Sequence, residues 1–487
     1  MEAGDTLWRN GVFTVCSPSL ERKPSMWRRC SLYVQQSHLD KKWGLAVAAA
    51  VASFFNLATQ INAGFFFVAM MDTFGVDHST AAWPESVFTV MTYSGSLIVF
   101  ILQRYLTVPH ITLLGSLLLW APLIGAAFAH NIASMTLALG VLHGTGAGIV
   151  LVSLMVVLGE HFEKYLAVAS GLRDAGTTLC AFVFPSLLSF LNSKYALRGT
   201  LLVYSALAMH VTAVALFLCI RVRDDEQDPM SCQEASKVCS TIQVPGSRLP
   251  LEGERAKTLA AMHPQANAEK DLASFSHKFA ILKSPRFYVV VLGATIEIYG
   301  YTVFLETIEA YAIDKGAPRS QAEMAITYAT IAEIAGYVCV PLIADMKVVS
   351  RPTMMTLCFV LLTLCYALMP HTTWSVTYVL VSAVLITFIA AASALRCSLM
   401  TQFFGAAQVP LCMTAVGLLL VPVLMSSPTI IDFFRDMMGS YDNMYRLVAA
   451  LHLAVAMLYS PLAVHERRQS RGSLSMAPKK CAPVTKL

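Results

Sequence analysis

The sequence predicts an all-α membrane protein, with twelve transmembrane helices in two six-helix halves, and three observations carry that prediction. The first is composition: of 487 residues, 56% are hydrophobic and 13% are charged, too little charge to coat a water-soluble globule of this size. The second is the recurrence of about twelve apolar runs of about 20 residues, each long enough to cross a hydrocarbon core of about 30 Å as a helix. The third is one long polar interruption near the middle, which leaves six runs on either side.

The runs begin near Leu45, Ala82, Ile111, Ile132, Leu166, Leu201, Phe287, Ala322, Thr353, Val376, Gly405 and Leu447. The first starts behind a long polar stretch, too deep to read as a cleaved signal peptide, so it is expected to stay as a helix. Lys and Arg gather before it at Arg22, Lys23, Arg28, Arg29, Lys41 and Lys42. They gather again after the last run at Arg467, Arg468, Arg471, Lys479 and Lys480. Positive charge marks the cytoplasmic side, so both termini are expected there, in keeping with an even number of spans. The loops then placed outside hold Lys194, Arg198 and Arg319, offset by Asp72, Asp77, Asp314, Asp432, Asp436 and Asp442.

The expected organisation is an N-terminal tail over 1–42, a first half over 43–220, a linker over 221–285, a second half over 286–464 and a tail over 465–487. The linker opens "RVRDDEQDPMSCQEASK" and stays rich in Pro, Gly, Ser and charge, the composition of a disordered cytoplasmic segment. The halves echo each other. "FILQRYLTVPHITLLG" joins spans two and three, and "LIADMKVVSRPTMMTL" joins spans eight and nine; each is a tight basic turn at the matching place. Paired halves around a long central loop are the layout of transporters that rock about a mid-membrane site.

Several chemistries find no support. Cys180, Cys219, Cys339, Cys358, Cys365 and Cys412 fall inside apolar runs, where a thiol acts as a small hydrophobe, and no CxxC pair suggests zinc or redox work. There is no Asn-x-Ser/Thr sequon, GxxxxGK[ST], HExxH or GxSxG pattern. No cofactor or metal is therefore expected, nor an enzyme. The basic tails suit anionic lipid, and nothing suggests nucleic acid.

The charges inside apolar runs are the candidate functional residues. Arg173 and Asp174 stand within "HFEKYLAVASGLRDAGTTLCAFVFP". A charge at the membrane centre costs about 2.5–3.5 kcal/mol on insertion scales, so it faces a cavity or a partner. Adjacent residues on a helix point about 100° apart, so these two are not expected to serve only each other. Arg396, in "SALRCSLM", is either a second anion-binding cation or a side chain that snorkels to the cytoplasmic interface. Glu297 and Glu333 lie mid-helix, where loss of water favours a proton and a neighbouring Arg favours the ionised form. Glu306 and Glu309 read as an outer vestibule. His143, beside Gly144, Gly146 and Gly148, is a proton group or a buried hydrogen-bonding histidine among close-packed helices. Asn56, Gln60 and Asn62 form a polar stripe that lines a cavity or bonds across helices.

Six stretches resemble the monocarboxylate transporters of the major facilitator superfamily. "DKKWGLAVAAAVASFF" resembles their Asp-Gly-Gly-Trp-Gly-Trp opening signature. Phe162, Lys164, Ala169, Gly171, Ala175, Gly176, Phe184 and Pro185 match the second signature, and "YALRGTLLVYSAL" the start of the sixth span. "VLHGTGAGIV", "GYVCVPLIADM" and "FFRDMMGSYDNMYRLVAAL" match the fourth, eighth and twelfth. The resemblance implies a twelve-helix plasma-membrane transporter, working by alternating access on a small organic anion, with a proton as companion in some members and an aromatic amino acid as solute in others. It also implies a single-span immunoglobulin-like chaperone as partner. Two family cations are missing: Ala63 stands where proton-coupled members carry a Lys, and the acid and Arg of the eighth span are here Glu333 and Tyr337. Arg173 then supplies the lost cation, since guanidinium pairs with carboxylate in bidentate fashion, or it serves as a structural or gating partner. Arg396, Asn56, Gln60 and Tyr337 are the further substrate candidates, and Glu333, Glu297, Asp174 and His143 the coupling candidates. Asp345, Lys347 and Arg351 occupy the superfamily's loop motif that locks the cytoplasmic side, and Pro341 and Pro428 mark bends within spans. A non-transporting receptor on the same scaffold is the remaining reading.

Overall fold

The computed structural model describes residues 40, 42–227, 279–374 and 376–475. The greater parts of both tails and of the linker, with Arg22, Lys23, Arg28, Arg29, Lys41, Lys479 and Lys480, lie outside the described residues. Every regular element among those described is helical. Large apolar side chains stay exposed along the bundle, such as Phe182 at 59% and Leu418 at 74%, a surface suited to lipid rather than water.

Among the described residues, ten helices are long and apolar enough to cross a membrane. One of them is two segments in a row. The helix from Leu166 reverses at Ala196, whose φ of 54° and ψ of 179° no helix contains, so segment five ends there and segment six begins. Segment one is built of Trp43–Asn56, Ala58–Ile61 and Ala63–Phe74 rather than the one unbroken helix that its apolar run predicts. Periodicity reports which face is apolar but not whether each peptide keeps its helical bond. Segments two to four follow as Trp83–Leu102, Val108–Ala127 and Gly144–His161, the last preceded by a π-helical turn, Thr136–His143. The second half holds Pro285–Asp314, Arg319–Asp345, Arg351–Leu368, Val376–Phe404, Val409–Asp432 and Asp442–Ser475. Segment six runs to Gln227 and segment twelve to Ser475, beyond the 220 and 464 where apolarity stops, because a helix does not need lipid to continue. Pro341 and Pro428 both lie inside helices.

The halves share one wiring. Segment two packs on four and eight on ten; one packs on five and seven on eleven; nine packs on twelve as three packs on the long five–six helix. Single hydrogen bonds repeat too. Thr59 of segment one bonds the Tyr204 hydroxyl of segment six at 3.0 Å, and Thr307 of segment seven bonds Tyr445 of segment twelve at 3.1 Å. The halves meet where segment five crosses eight and ten and where two crosses eleven. Gly171 makes the first crossing possible, since a methyl there would run into the Tyr337 carbonyl.

Candidate functional site: a charged seam between the halves

Just past Gly171, segment five turns Arg173 into the interface, where it is 1% exposed. Its Nε and Nη2 both donate to Asp174 Oδ1, at 2.9 and 2.5 Å. The other Asp174 oxygen accepts from Ser393 Oγ at 3.2 Å. Ser393 in turn accepts from Arg396 Nη2 at 2.9 Å, and Arg396 Nη1 donates to Glu297. One hydrogen-bonded chain therefore runs Arg173, Asp174, Ser393, Arg396, Glu297, from segment five through ten to seven. Two cations alternate with two carboxylates along it. Arg173 Nη1 and Arg396 Nε are buried with no hydrogen-bond partner among the described residues, so each guanidinium keeps one donor in hand.

Glu333, 4% exposed, sits beside this chain with different company. Tyr337 donates its hydroxyl to Glu333 Oε1 at 3.1 Å, and the Tyr301 and Thr178 hydroxyls close round the same carboxyl. Its hydrogen-bond partners are thus neutral hydroxyls, whereas Asp174 and Glu297 each face an arginine.

Arg173 and Asp174 bond each other, because a guanidinium at the end of a long flexible stem spans the 100° between neighbouring positions, but they do not serve only each other: Asp174 braces segment ten as well, through Ser393. Arg396 does not snorkel. Its side chain is 11% exposed and paired with Glu297, since segment ten continues two turns beyond it to Phe404.

His143, fully buried, lies away from this chain. Nδ1 is 2.5 Å from the Leu119 carbonyl, which only accepts, so Nδ1 carries the proton. Nε2 lies 2.7 Å from Thr59 Oγ, which in turn meets the Tyr204 hydroxyl at 3.0 Å. Both ring nitrogens are engaged, and they tie segment four to segments three, one and six. Asn56 likewise bonds across helices, donating to the Ala147 carbonyl at 3.1 Å, and Asn62 donates to its own helix at Ala58. Gln60 is half-buried. Glu306 is exposed and accepts from Ser427 at 3.1 Å.

The end of the bundle where segment five begins and segment eight ends is held by a clasp. Asp345 Oδ2 accepts the Val168 N–H at 2.9 Å, capping segment five from the opposite half. Arg351 holds Asp345 Oδ1 at 2.9 Å and donates to the carbonyls of Glu163 and Lys164 at 2.6 and 3.1 Å. From the other side Asp40 accepts the N–H groups of Glu163, Lys164 and Tyr165 at 3.3, 3.0 and 3.0 Å, while Trp43 packs edge-on against Phe162. Lys347 takes no side-chain part: it is exposed, at a φ of 61°, in the turn after segment eight. Beyond the spans, the Tyr165 side chain under the Lys164 ammonium holds that group above its ordinary pKa. Asp40, Ser393, Thr178 and Tyr301 are the residues that sequence reasoning passed over. Asp40 had a signal, as the acid of the opening signature; the hydroxyls had none, being common in any span.

Two matched half-bundles meeting along a buried charged seam are the layout found in transporters built from paired halves. Residues 49–421 match the family model of the Major Facilitator Superfamily, and the chain belongs to that superfamily. It is 25% identical over 336 residues to monocarboxylate transporter 2 of Meriones unguiculatus, covering 68% of this chain and 65% of the relative. With monocarboxylate transporter 12 of Homo sapiens it shares 21% over 339 residues, 68% and 62% of the two chains. The match thus spans slightly under two thirds of these relatives' length. Among solved structures, the superfamily transporter FucP in the outward conformation superposes with a TM-score of 0.62 at 13% identity, over 85% of this chain and 97% of that one. The proton:xylose symporter XylE gives 0.57 at 10%, over 87% and 95%. Those two likenesses concern the fold alone. The chain is a transporter-family protein and not an enzyme.

Proposed function

We propose that this protein is a plasma-membrane secondary transporter of twelve crossings, both termini cytoplasmic, moving small organic anions of the monocarboxylate class by alternating access, with a proton carried on Glu333. The observation behind it is the charge balance of the seam. Arg173 and Arg396 are already matched by Asp174 and Glu297, so an arriving carboxylate adds a negative charge that the seam does not answer. A proton on Glu333, the carboxyl held by hydroxyls, restores the balance, because hydroxyl partners can donate to the carboxylate or accept from the acid. The spare N–H groups on the two arginines supply donors for the anion. The clasp at Asp345 and Arg351 opens and closes the cytoplasmic side.

A zwitterionic solute such as an aromatic amino acid is the second reading. It brings its own compensating ammonium and needs no proton, and the same charge balance accommodates it. The deciding experiment is uptake of labelled monocarboxylates and aromatic amino acids into oocytes at external pH of about 6 and about 7.5, for wild type and Arg173→Ala with surface expression measured alongside. Faster carboxylate uptake at the lower pH, lost in the variant, is expected. Amino-acid uptake indifferent to pH would select the second reading. No saturable uptake of any solute would leave a receptor on the same scaffold.

A further inference from the structure

Segment one leaves helical geometry at Leu57 (φ −103°, ψ 14°) and again at Asn62 (φ −105°, ψ 28°). The helix Trp43–Asn56 therefore ends inside the bundle. A helix end of this polarity presents carbonyl oxygens without intrahelical donors and the negative pole of the helix dipole.

Two side-chain oxygens stand at that end, one turn apart. Ser53 is 2% exposed and Asn56 0%, and neither Ser53 Oγ nor Asn56 Oδ1 has a hydrogen-bond partner among the described residues. The amide cannot exchange its ends to cure this. Its Nδ2 is engaged by the Ala147 carbonyl, which accepts and never donates, so Oδ1 is fixed on the unpartnered side. The site is thus rich in acceptors: an amide oxygen, a hydroxyl and helix-terminal carbonyls. An uncharged, all-oxygen set of this kind suits a hard monovalent cation, and lacks the carboxylates that a divalent ion calls for.

We propose that a sodium ion binds at the first break of segment one, held by Asn56 Oδ1, Ser53 Oγ and the carbonyl oxygens of that helix end. A cation there ties the two pieces of segment one together and draws the Trp43–Asn56 end toward segment four through Asn56. Broken helices in other membrane transporters use their C-terminal ends in the same physical way.

The test is thermal unfolding of the purified full-length protein in sodium, potassium and choline chloride at equal ionic strength. Sodium is expected to raise the melting temperature saturably by about 2–4 °C over choline, and Ser53→Ala and Asn56→Ala to abolish the rise. Asn56→Ala also gives up the Ala147 bond, so Ser53→Ala decides if the former does not fold. Equal melting in the three salts overturns the proposal, as does a rise just as large in potassium or one that survives in Ser53→Ala. The readout uses no transported solute, so it stands or falls separately from the transport reading.

Discussion

At the scale of single residues, the seam is a set of charges whose value depends on their partners. Removing one member of a buried ion pair strands the other, at about 3–5 kcal/mol, whereas removing both is milder. Arg173→Ala is therefore expected to lower the thermal stability of the purified protein more than the double variant Arg173→Ala/Asp174→Ala does. Equal losses would show that Asp174 has other support than Arg173. The presence of these charges was legible in the sequence, because Arg173, Asp174, Glu297, Glu333 and Arg396 interrupt apolar runs. Their pairing was not. Helical angles describe one helix at a time, and Asp174 meets Ser393 across 219 positions of chain, a distance over which no local pattern carries information. The same blindness left Arg396 open between the bundle and the interface, since its depth follows from where segment ten ends and not from its neighbours.

At the scale of elements, the clasp joins the start of segment five to the end of segment eight. Asp345 supplies both the cap on Val168 and the counter-ion for Arg351, so Asp345→Ala removes two links at once and is expected to favour opening of that face. Cys397 reports it. The thiol is buried between segments ten and four, with Sγ 3.7 Å from the Met155 carbonyl, and in the variant it should be alkylated several times faster, read by mass spectrometry of the Cys397 peptide. An unchanged rate would mean that other contacts keep the face shut. The sequence revealed the loop by its echo of the turn between segments two and three, and Asp345 and Arg351 with it. It gave no reason to separate them from Lys347, because the partners on the far side are backbone groups of residues 163, 164 and 168, invisible to any pattern of side chains. The breaks in segment one were hidden for a related reason: Leu57 and Asn62 are ordinary residues in an apolar run.

At the scale of the whole molecule, the two halves repeat a bond that their sequences do not advertise. Tyr445→Phe deletes only the Thr307 contact and is expected to cost about 0.5–1.5 kcal/mol. Tyr204→Phe should cost more, since Thr59 also serves His143 and four segments meet there; comparing the two melting temperatures checks it, and equal losses would make the His143 linkage energetically idle. The six-plus-six plan was legible because apolar length and one polar linker are properties of the chain itself, while the shared wiring exists only once helices have packed. The turn at 162–165 has a consequence of another kind. Asp40 and Arg351 grip its amides and carbonyls, so these contacts depend on the length of the turn and not on the side chain of Glu163 or Lys164. A tag or reporter spliced between Phe162 and Tyr165 would act as a wedge, parting two gates' worth of contacts with an insertion that alters no side chain in either one.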